Sequence, residues 1–190
     1  MALNIKVNLD NHYELQSTDD DFRYSIFEST LTDGKVSRLG VKISSEQHPF
    51  MPDVYNLAFG PVNEKNEIDD RIKLTHQDHS KVFSTIVLAG LTFLTKHKDK
   101  YLGIDGSDTR RAYMYYRCIQ NNFEYLNSLF TVYGVNYYLR ILRDESTDYN
   151  QKDFLAIPKV IEKGETLPPT KLYNYFIFNT KQCAQETTVI

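Results

Sequence analysis

Hydrophobic and polar residues alternate along the chain between residues 22 and 74. A period of two is typical of strands with one buried face. The alternation predicts strands in four stretches, namely FRYSIFEST, VSRLGVKIS, VYNLAFGPV and IDDRIKLT. The Asp-Gly pair in TDGK, at 32–35, is a strong hairpin signal between the first two. Four consecutive strands with short connections predict an antiparallel meander.

The apolar spacing then changes to that of a helix. The stretch DHSKVFSTIVLAGLTFLTKHK carries its apolar side at Val82, Phe83, Ile86, Val87, Gly90, Phe93 and Leu94. Asp78 or Thr75 can cap the start of this helix, and the basic residues at 96–98 suit its end. We expect this helix to lie across the buried face of the meander.

A second helix is predicted from Thr109 to about Phe130, after a short strand in YLGID. Its apolar stripe is Ala112, Tyr116, Ile119, Phe123, Leu126 and Phe130. Strand-like stretches follow in VNYYLRILR, in FLAIPKVI, which Pro158 interrupts, and in YNYFIFN. The order of elements predicts an α+β fold. Its mainly antiparallel sheet has a four-strand meander, then helix, strand, helix and two or three strands, with two helices packed on one face.

The domain reading follows from the same pattern. Residues 1–21 read as a polar N-terminal extension with a loose start or with one edge strand at NIKVNL, residues 22–179 as a single α+β domain, and residues 180–190 as a flexible tail. The apolar share of 41% is enough for one substantial core. The chain is rich in tyrosine, with 14 Tyr, 11 Phe and no Trp, which suits strands and half-buried positions.

Charge and cysteine usage narrow the classes of function. The net charge of −3 has both signs interspersed, so nucleic acid could bind only at a local basic patch. The two cysteines, Cys118 and Cys183, lie far apart and match no disulfide framework, which fits a reducing cytosol. The longest apolar run is too short for a membrane span, and the N-terminus lacks a signal-peptide pattern. We therefore expect a cytoplasmic protein without a membrane partner.

One stretch, DGSDTRRAYMYYR at 105–117, has the composition of an anion site. It places a glycine and small capping residues between a strand and a helix, where backbone N–H groups are free to meet an anion. Arg110 and Arg111 fall in the first helical turn, where a cation opposes the helix dipole. A bound phosphate or carboxylate would make both arginines favourable, with the amides near Gly106 and Ser107 as further donors.

Helical spacing adds an exposed strip to this site. Arg110, Tyr113 and Arg117 stand at i, i+3 and i+7, on a face roughly opposite the apolar stripe. A strip of guanidinium, aromatic ring and guanidinium suits phosphates and stacked bases. The predicted ligand-binding set is Gly106, Ser107, Arg110, Arg111, Tyr113 and Arg117. The alternative is an ordinary surface on which Asp105 and Asp108 neutralise the two arginines.

Other chemistry-bearing residues give weaker signals. His76, Asp78 and His79 could begin a metal site or an acid–base pair, but no third ligand has a recognisable spacing, and capping by Asp78 with exposed histidines is the simpler reading. Cys118 reads as a buried, inert thiol. The last four residues, TTVI, could add to another protein's sheet edge. No catalytic residue is identified, and the sequence predicts no metal and no cofactor.

Two longer stretches carry a resemblance. The chain contains YNLAFG at 55–60, a helix start with Asp78, Lys81 and Val82, and a Gly-Ser-x-x-x-Arg-x-x-x-Tyr segment formed by Gly106, Ser107, Arg111 and Tyr115. These resemble a family of short bacterial proteins known only as a domain of unknown function. The later stretch EKGETLPPTKLYNYFIF is similar to that family's closing strand. The resemblance spans most of residues 22–179 and implies one domain, a bacterial cytoplasmic setting and this strand order, without any activity.

Three functions fit these observations. The leading hypothesis is a module that binds a phosphate group, as part of a nucleotide or of a nucleic-acid backbone. The second is a homo-oligomer or a partner-binding accessory subunit that uses tyrosine-rich surface. The third is an enzyme that uses the helix start at Gly106–Arg111 as an anion or oxyanion site. The sequence alone leaves open whether the protein is an enzyme.

Overall fold

Within the described residues, the sheet has eight strands, and three helices pack with it. The computed structural model describes residues 4–17, 19–69, 72, 74–106, 108–135, 157–167 and 172–181. The strands are β1 (Gln16–Ser17), β2 (Tyr24–Thr30), β3 (Val36–Gln47), β4 (Val54–Pro61), β5 (Tyr101–Asp105), β6 (Phe130–Val135), β7 (Lys159–Val160) and β8 (Tyr175–Thr180). The helices are α1 (His79–Lys96), α2 (Thr109–Asn121) and α3 (Phe123–Leu129). The strand order in the sheet is β1-β2-β3-β4-β5-β8-β6-β7.

The predicted meander is present, since β1 to β4 lie side by side and antiparallel. Gly34, at the predicted hairpin between β2 and β3, has a φ of 84°, which a glycine adopts without strain. The fourth strand differs from the predicted one. The stretch at 68–75 forms no strand among its described residues, and only an isolated bridge joins Ile68 to Val62. The fourth strand of the meander is instead the short strand β1, which pairs with β2 at the opposite edge, while β5 lies beside β4.

The rest of the sheet is built around one parallel pair of strands. The chain crosses from β4 through α1 to β5, which pairs parallel to β4 from Val54↔Tyr101 to Asn56↔Gly103. Parallel neighbours need such a crossover, and here a helix supplies it. Strand β8 then lies between β5 and β6 and is antiparallel to both. The fold is therefore α+β with a mainly antiparallel sheet, as the sequence predicts.

The helices present the apolar stripes that the spacing predicts. Asp78 caps α1, and its side chain accepts a hydrogen bond from the Lys81 N–H at 2.8 Å. The second helix is shorter than predicted, because α2 ends at Asn121 and α3 begins at Phe123. Residues of the predicted stripe are nevertheless buried in α2, in α3 and in β6, namely Ala112, Tyr116, Ile119, Leu126 and Phe130. All of them belong to one core cluster with α1 and β2 to β4.

The N-terminal residues pack against the helices. Residues 4–9, here called the N-terminal strap, bury Ile5 and Val7 in the main core, although the sequence reads as a loose polar start. Side chains of the helices accept hydrogen bonds from the strap's backbone N–H groups. The pairs are Lys6 N–H to Ser80 Oγ, Val7 N–H to Asn122 Oδ1, Asn8 N–H to Ser84 Oγ and Leu9 N–H to Tyr125 Oη. The strap is thus ordered by helix side chains rather than by a neighbouring strand.

Several expectations concern the C-terminal part of the chain. The stretch VNYYLRILR begins within β6, and its residues from 136 onward lie outside the described part, as does most of the tail at 180–190 with TTVI and Cys183. The predicted final strand corresponds to β8 and the interrupted stretch FLAIPKVI to the two-residue β7. Among the described residues, no helix is both long enough and apolar enough to cross a membrane.

Candidate functional site

A cleft opens where the two parallel strands stop pairing. The last paired residues are Asn56 on β4 and Gly103 on β5, and beyond them β4 continues to Pro61 and β5 to Asp105. The ends of both strands, which pair with β3 and β8 but no longer with each other, line the cleft. Helix α1 follows β4 and helix α2 follows β5, so first-turn residues of both helices reach the same cleft. Ligands of open sheets bind at such carboxyl ends of parallel strands.

The cleft has the size and lining of a small-molecule site. Its volume is about 440 Å³, within the usual range of ligand pockets. Most of the wall is apolar, formed by Ile5, Leu39, Leu57, Ala58, Phe59, Pro61, Ile72, Leu74, Val82, Phe83, Ile104 and Met114. The polar side chains in the lining are Asn56, His76, His79, Asp105, Arg111 and Tyr115. A mostly apolar wall with a few polar groups holds a ligand by burial and orients it by those groups.

Arg111 supplies a positive charge to the cleft from the first turn of α2. Its Nε lies 3.7 Å from Asp108 Oδ2, and its side chain is 28% exposed. Asp108 also caps the helix, since its Oδ1 accepts hydrogen bonds from the N–H groups of Arg110 at 2.8 Å and Arg111 at 2.9 Å. Two of the backbone amides that an anion could have used therefore already have an internal acceptor.

His76 and His79 lie together at the start of α1, the other helix that borders the cleft. His79 is the first residue of α1, and its ring stands perpendicular to that of His76, with ring centroids 5.6 Å apart. His76 Nδ1 is 2.9 Å from the hydroxyl oxygen of Ser29, a buried residue of β2. This bond fixes the ring of His76 and leaves Nε2 as its second nitrogen for other contacts.

Burial lowers the pKa of both imidazoles and so favours their neutral form. Desolvation lowers the pKa of His76 below its usual value, and the neighbouring His79 lowers it further. Desolvation also lowers the pKa of His79, while the carboxylate of Asp78 acts in the opposite direction. Both groups can therefore accept a proton if a negative charge enters the cleft.

The predicted ligand-binding residues are separated by the fold. Of that set, Arg111 lines the cleft, while Arg110, Tyr113 and Arg117 are exposed on α2. The predicted pairing of charge and ring does occur there, because the Arg117 guanidinium lies 5.8 Å from the Tyr113 ring centroid. Ser107 lies outside the described residues.

Gly106 has a packing role in the structure. A Cβ built at this position would lie 2.7 Å from the backbone Cα of Ala112, so only a glycine lets the end of β5 approach α2 this closely. The Gly106 N–H donates to the carbonyl oxygen of Asn174 at 2.8 Å. That amide is therefore engaged within the fold.

The sequence did not predict several residues of the cleft, although they lie in two stretches that stand out along the chain. The strand segment YNLAFG supplies Asn56 and Phe59, and the Gly-Ser-x-x-x-Arg-x-x-x-Tyr segment supplies Tyr115 beside Arg111. The sequence predicts a site at Gly106, Ser107 and Arg111 of the second segment, but assigns Tyr115 and the YNLAFG strand to the resemblance alone. The two stretches meet at the cleft only because β4 pairs with β5, so no local pattern in the sequence marks their residues as parts of one site.

Two other candidate chemistries receive little support from the geometry. Cys118 is buried, and burial raises the pKa of its thiol to about 12, so the reactive thiolate is scarce at neutral pH. Among the residues that the structure describes, no group of three or more His, Cys, Asp or Glu side chains is arranged to hold a metal ion. The histidines of the cleft are thus candidates for proton transfer or for anion contact.

Comparison with known proteins gives one match. The model of a protein family of unknown function matches residues 9–156, which includes most of the residues that line the cleft. No curated protein matches the chain, and no solved structure matches it.

Proposed function

We propose a ligand-binding function for this chain, which belongs to that family of unknown function, DUF6934. The cleft at the ends of β4 and β5 binds a small molecule that combines a planar apolar body with a negatively charged group. A mononucleotide has this chemistry. The observation that carries the proposal is the position of Arg111, a cation of the α2 helix start, in the wall of a cleft that is otherwise mostly apolar.

Aromatic side chains in the cleft support the proposal that one half of the ligand is planar and apolar. Phe59 lies at the middle of a small aromatic group, with its ring centroid 6.0 Å from that of Phe83 and 6.4 Å from that of Tyr115. All three residues line the cleft. Planar rings such as nucleobases gain stability by stacking on aromatic faces, and they do so with little dependence on the identity of the base.

The guanidinium of Arg111 supports the charged half. Guanidinium groups bind phosphate and carboxylate oxygens through paired hydrogen bonds, which are about twice as strong as neutral ones. The cleft also lies at two helix starts, where the helix dipoles favour negative charge. Asp108 already accepts hydrogen bonds from the backbone N–H groups of Arg110 and Arg111. The proposed anion contact is therefore the side chain of Arg111 rather than the backbone.

Calorimetric titration with a panel of nucleoside monophosphates tests the proposal. Arg111→Gln should weaken binding by about 10- to 100-fold, the loss of one charge-assisted interaction. Arg110→Gln is the matched control, because it removes the same charge from the neighbouring exposed residue and should leave affinity within about twofold. Equal effects of the two substitutions, or no binding of any panel member by the unchanged protein, would reject the cleft as the site.

A second binding proposal concerns the exposed face of α2. The stacked pair of Arg117 and Tyr113 could hold the backbone and bases of a nucleic acid, independently of the cleft. Fluorescence anisotropy with a labelled single-stranded oligonucleotide would show binding that falls steeply with salt. This proposal requires Arg117→Gln to weaken binding and Arg111→Gln to have little effect, which is the reverse of the pattern expected for the cleft.

The alternative proposal of an enzyme would use the same cleft. The sequence-based proposal of an anion or oxyanion site at Gly106–Arg111 needs an acid–base group nearby, and His76 and His79 line the cleft together with Arg111. Incubation of the protein with a ligand found in the panel, followed by mass spectrometry, would detect turnover. Loss of product formation in His76→Gln without loss of ligand binding would favour an enzyme over a binding module.

Association with a protein partner or with a second copy is the remaining proposal. Within the described residues, the two outer strands of the sheet, β1 and β7, have two residues each and offer little edge for strand addition. The proposed contact surface is therefore formed by side chains, such as those of the exposed tyrosines of α2 and α3, Tyr113 and Tyr125. Light scattering measures the molar mass of the purified protein in solution. A comparison of the unchanged protein with Tyr113→Ser tests whether this tyrosine contributes to association.

A further inference from the structure

We propose that His76 and His79 complete, together with Arg111, a subsite for a doubly negative group such as a phosphate monoester, and that binding of this group takes up a proton. The inference rests on the proposed function and extends it in two ways. It narrows the ligand from any anion to a dianion, and it assigns to the two histidines a role that the sequence left open between metal binding, acid–base chemistry and exposure.

The charges that line the cleft lead to this inference. Among the described lining residues, Arg111 carries one permanent positive charge and Asp105 carries one negative charge. The formal net charge of the lining is therefore zero. Asp105 is itself engaged in an interaction within the protein, so its charge is a fixed part of the site. A dianion that enters a partly buried site of zero net charge is left uncompensated, which is costly. The remaining lining groups able to become positive near neutral pH are His76 and His79.

The geometry of the two imidazoles suits this role. The Ser29 hydroxyl engages Nδ1 of His76 on the side of the sheet, so Nε2 is the nitrogen that can contact a ligand. His79 begins α1, and its ring stands perpendicular to that of His76 at a centroid separation of 5.6 Å. Two rings at this spacing can both lie within reach of one phosphate group, whose three terminal oxygens accept several donors.

The direction of the proton change follows from the groups around the rings. In the ligand-free protein, burial and the proximity of the two rings lower the pKa of His76, and burial lowers that of His79. The group that acts electrostatically on His79 is the adjacent Asp78, and on His76 it is His79. The charged side chains of the cleft lining are Asp105 and Arg111, with Asp108 paired to Arg111, and Tyr115 is a further titratable group of the lining. An added dianion favours the protonated form, so it raises both pKa values, and the complex holds more protons than the free protein.

Calorimetry with two matched probes tests the inference. The first probe is AMP, whose phosphate is mostly dianionic at pH 7, since its second pKa is about 6. The second is adenosine 5′-sulfate, which has nearly the same shape and carries a single negative charge. Titrations in buffers with different ionisation heats count the protons taken up. We expect about half to one proton per AMP at pH 7, and a smaller uptake together with weaker binding for the sulfate ester.

Substitutions separate this inference from the proposed function. The double variant His76→Gln/His79→Gln should bind AMP without proton uptake and should lose its preference over the sulfate ester. His48→Gln is the control, because His48 is also half-buried with a lowered pKa but does not line the cleft. The number of protons taken up on AMP binding should be the same in His48→Gln as in the unchanged protein. The imidazole NMR signals of the unchanged protein, titrated with and without AMP, give a readout that needs no substitution.

The outcomes are distinct. Proton uptake that disappears in the double variant, with histidine pKa values raised by AMP in the unchanged protein, supports the inference. Binding of AMP that depends on Arg111 but takes up no proton, or takes up as much in the double variant, overturns the inference and leaves the proposed function standing. If neither probe binds the unchanged protein, both the proposed function and the inference fail.

Discussion

The side-chain amide of Asn122 binds the backbone around Val7 as a neighbouring strand would. The Val7 N–H donates to Asn122 Oδ1 at 2.8 Å, and Asn122 Nδ2 donates to the Ile5 carbonyl oxygen at 2.9 Å. Asn122 stands at the junction of α2 and α3, with a φ of −115° and a ψ of 21°, outside the helical region. The break between the helices thus coincides with the attachment of the N-terminal strap, which in turn contributes Ile5 to the wall of the cleft.

Asn122→Ala should destabilise the protein substantially. The substitution removes both bonds to the strap and a third to the Cys118 carbonyl oxygen, and it leaves buried polar groups without partners. Each such loss costs about 1–3 kcal/mol, and partial rearrangement offsets part of it, so we expect about 2–4 kcal/mol. Urea unfolding measures this change, and hydrogen exchange at the Val7 amide should accelerate.

Asn121→Ala is the control for this experiment. Asn121 is the neighbouring, exposed residue at the end of α2, and its loss should change stability by no more than about 0.5 kcal/mol. If the Asn122 variant exchanges its Val7 amide as slowly as the unchanged protein, Asn122 does not hold the strap.

Local patterns predicted most of the elements correctly. The Asp33-Gly34 hairpin, the Asp78 cap and the apolar stripe through Tyr116 depend on neighbouring residues only, so the sequence contains all that determines them. The break at Asn122 had a signal in the pair of asparagines at 121–122, since asparagine competes with helix hydrogen bonds. The apolar spacing continues through the break, and that continuity led to the prediction of one long helix.

Long-range pairing was the part that the sequence did not show. The insertion of β8 between β5 and β6 joins residues far apart in the chain, with Gly103 opposite Ile177 and Val132 opposite Phe178. The cleft depends on the parallel pairing of β4 with β5, which brings His79 and Arg111 to the same end of the sheet. Each of these residues was singled out separately. Their proximity follows from a strand–helix–strand crossover, which the sequence analysis treated as part of an antiparallel fold.

Gly106→Ala should destabilise the fold by about 1–3 kcal/mol, because the added methyl group would overlap the backbone of Ala112. Gly106→Leu should cost more, since a larger side chain increases the overlap. At Gly164, which has a φ of 70° and where an added Cβ would meet no atom within 4 Å, alanine and leucine should cost the same within about 0.5 kcal/mol. Thermal unfolding of the four variants makes the comparison. A Gly106→Ala protein of unchanged stability would contradict the packing role.

Cys118 should be unreactive in the native protein. Its pKa of about 12 leaves a thiolate fraction at pH 8 that is more than about a thousandfold below that of a free thiol. A Cys183→Ser variant isolates the signal of Cys118, and a chromogenic disulfide reagent measures the rate. We expect modification only at the rate of unfolding, and rapid modification in urea. A native rate close to that of a small free thiol would show that Cys118 is accessible.

His48 should make the stability of the protein depend on pH. Its ring is half-buried 5.4 Å from that of Tyr175, and burial lowers the pKa of the imidazole. The unfolded chain then binds a proton at a higher pH than the folded one does, near the ordinary value of about 6.5. Stability is therefore fully present above that value and is lost as the pH falls through the lowered pKa of the folded state.

The measurement is the melting temperature between pH 7.5 and pH 5, for the unchanged protein and for His48→Gln. The unchanged protein should lose more stability over this range than the variant, because the variant no longer carries the proton-linked cost at this position. His76 and His79 contribute in the same direction in both proteins and cancel in the comparison. Parallel curves for the unchanged protein and His48→Gln would show that burial of His48 is not linked to its protonation.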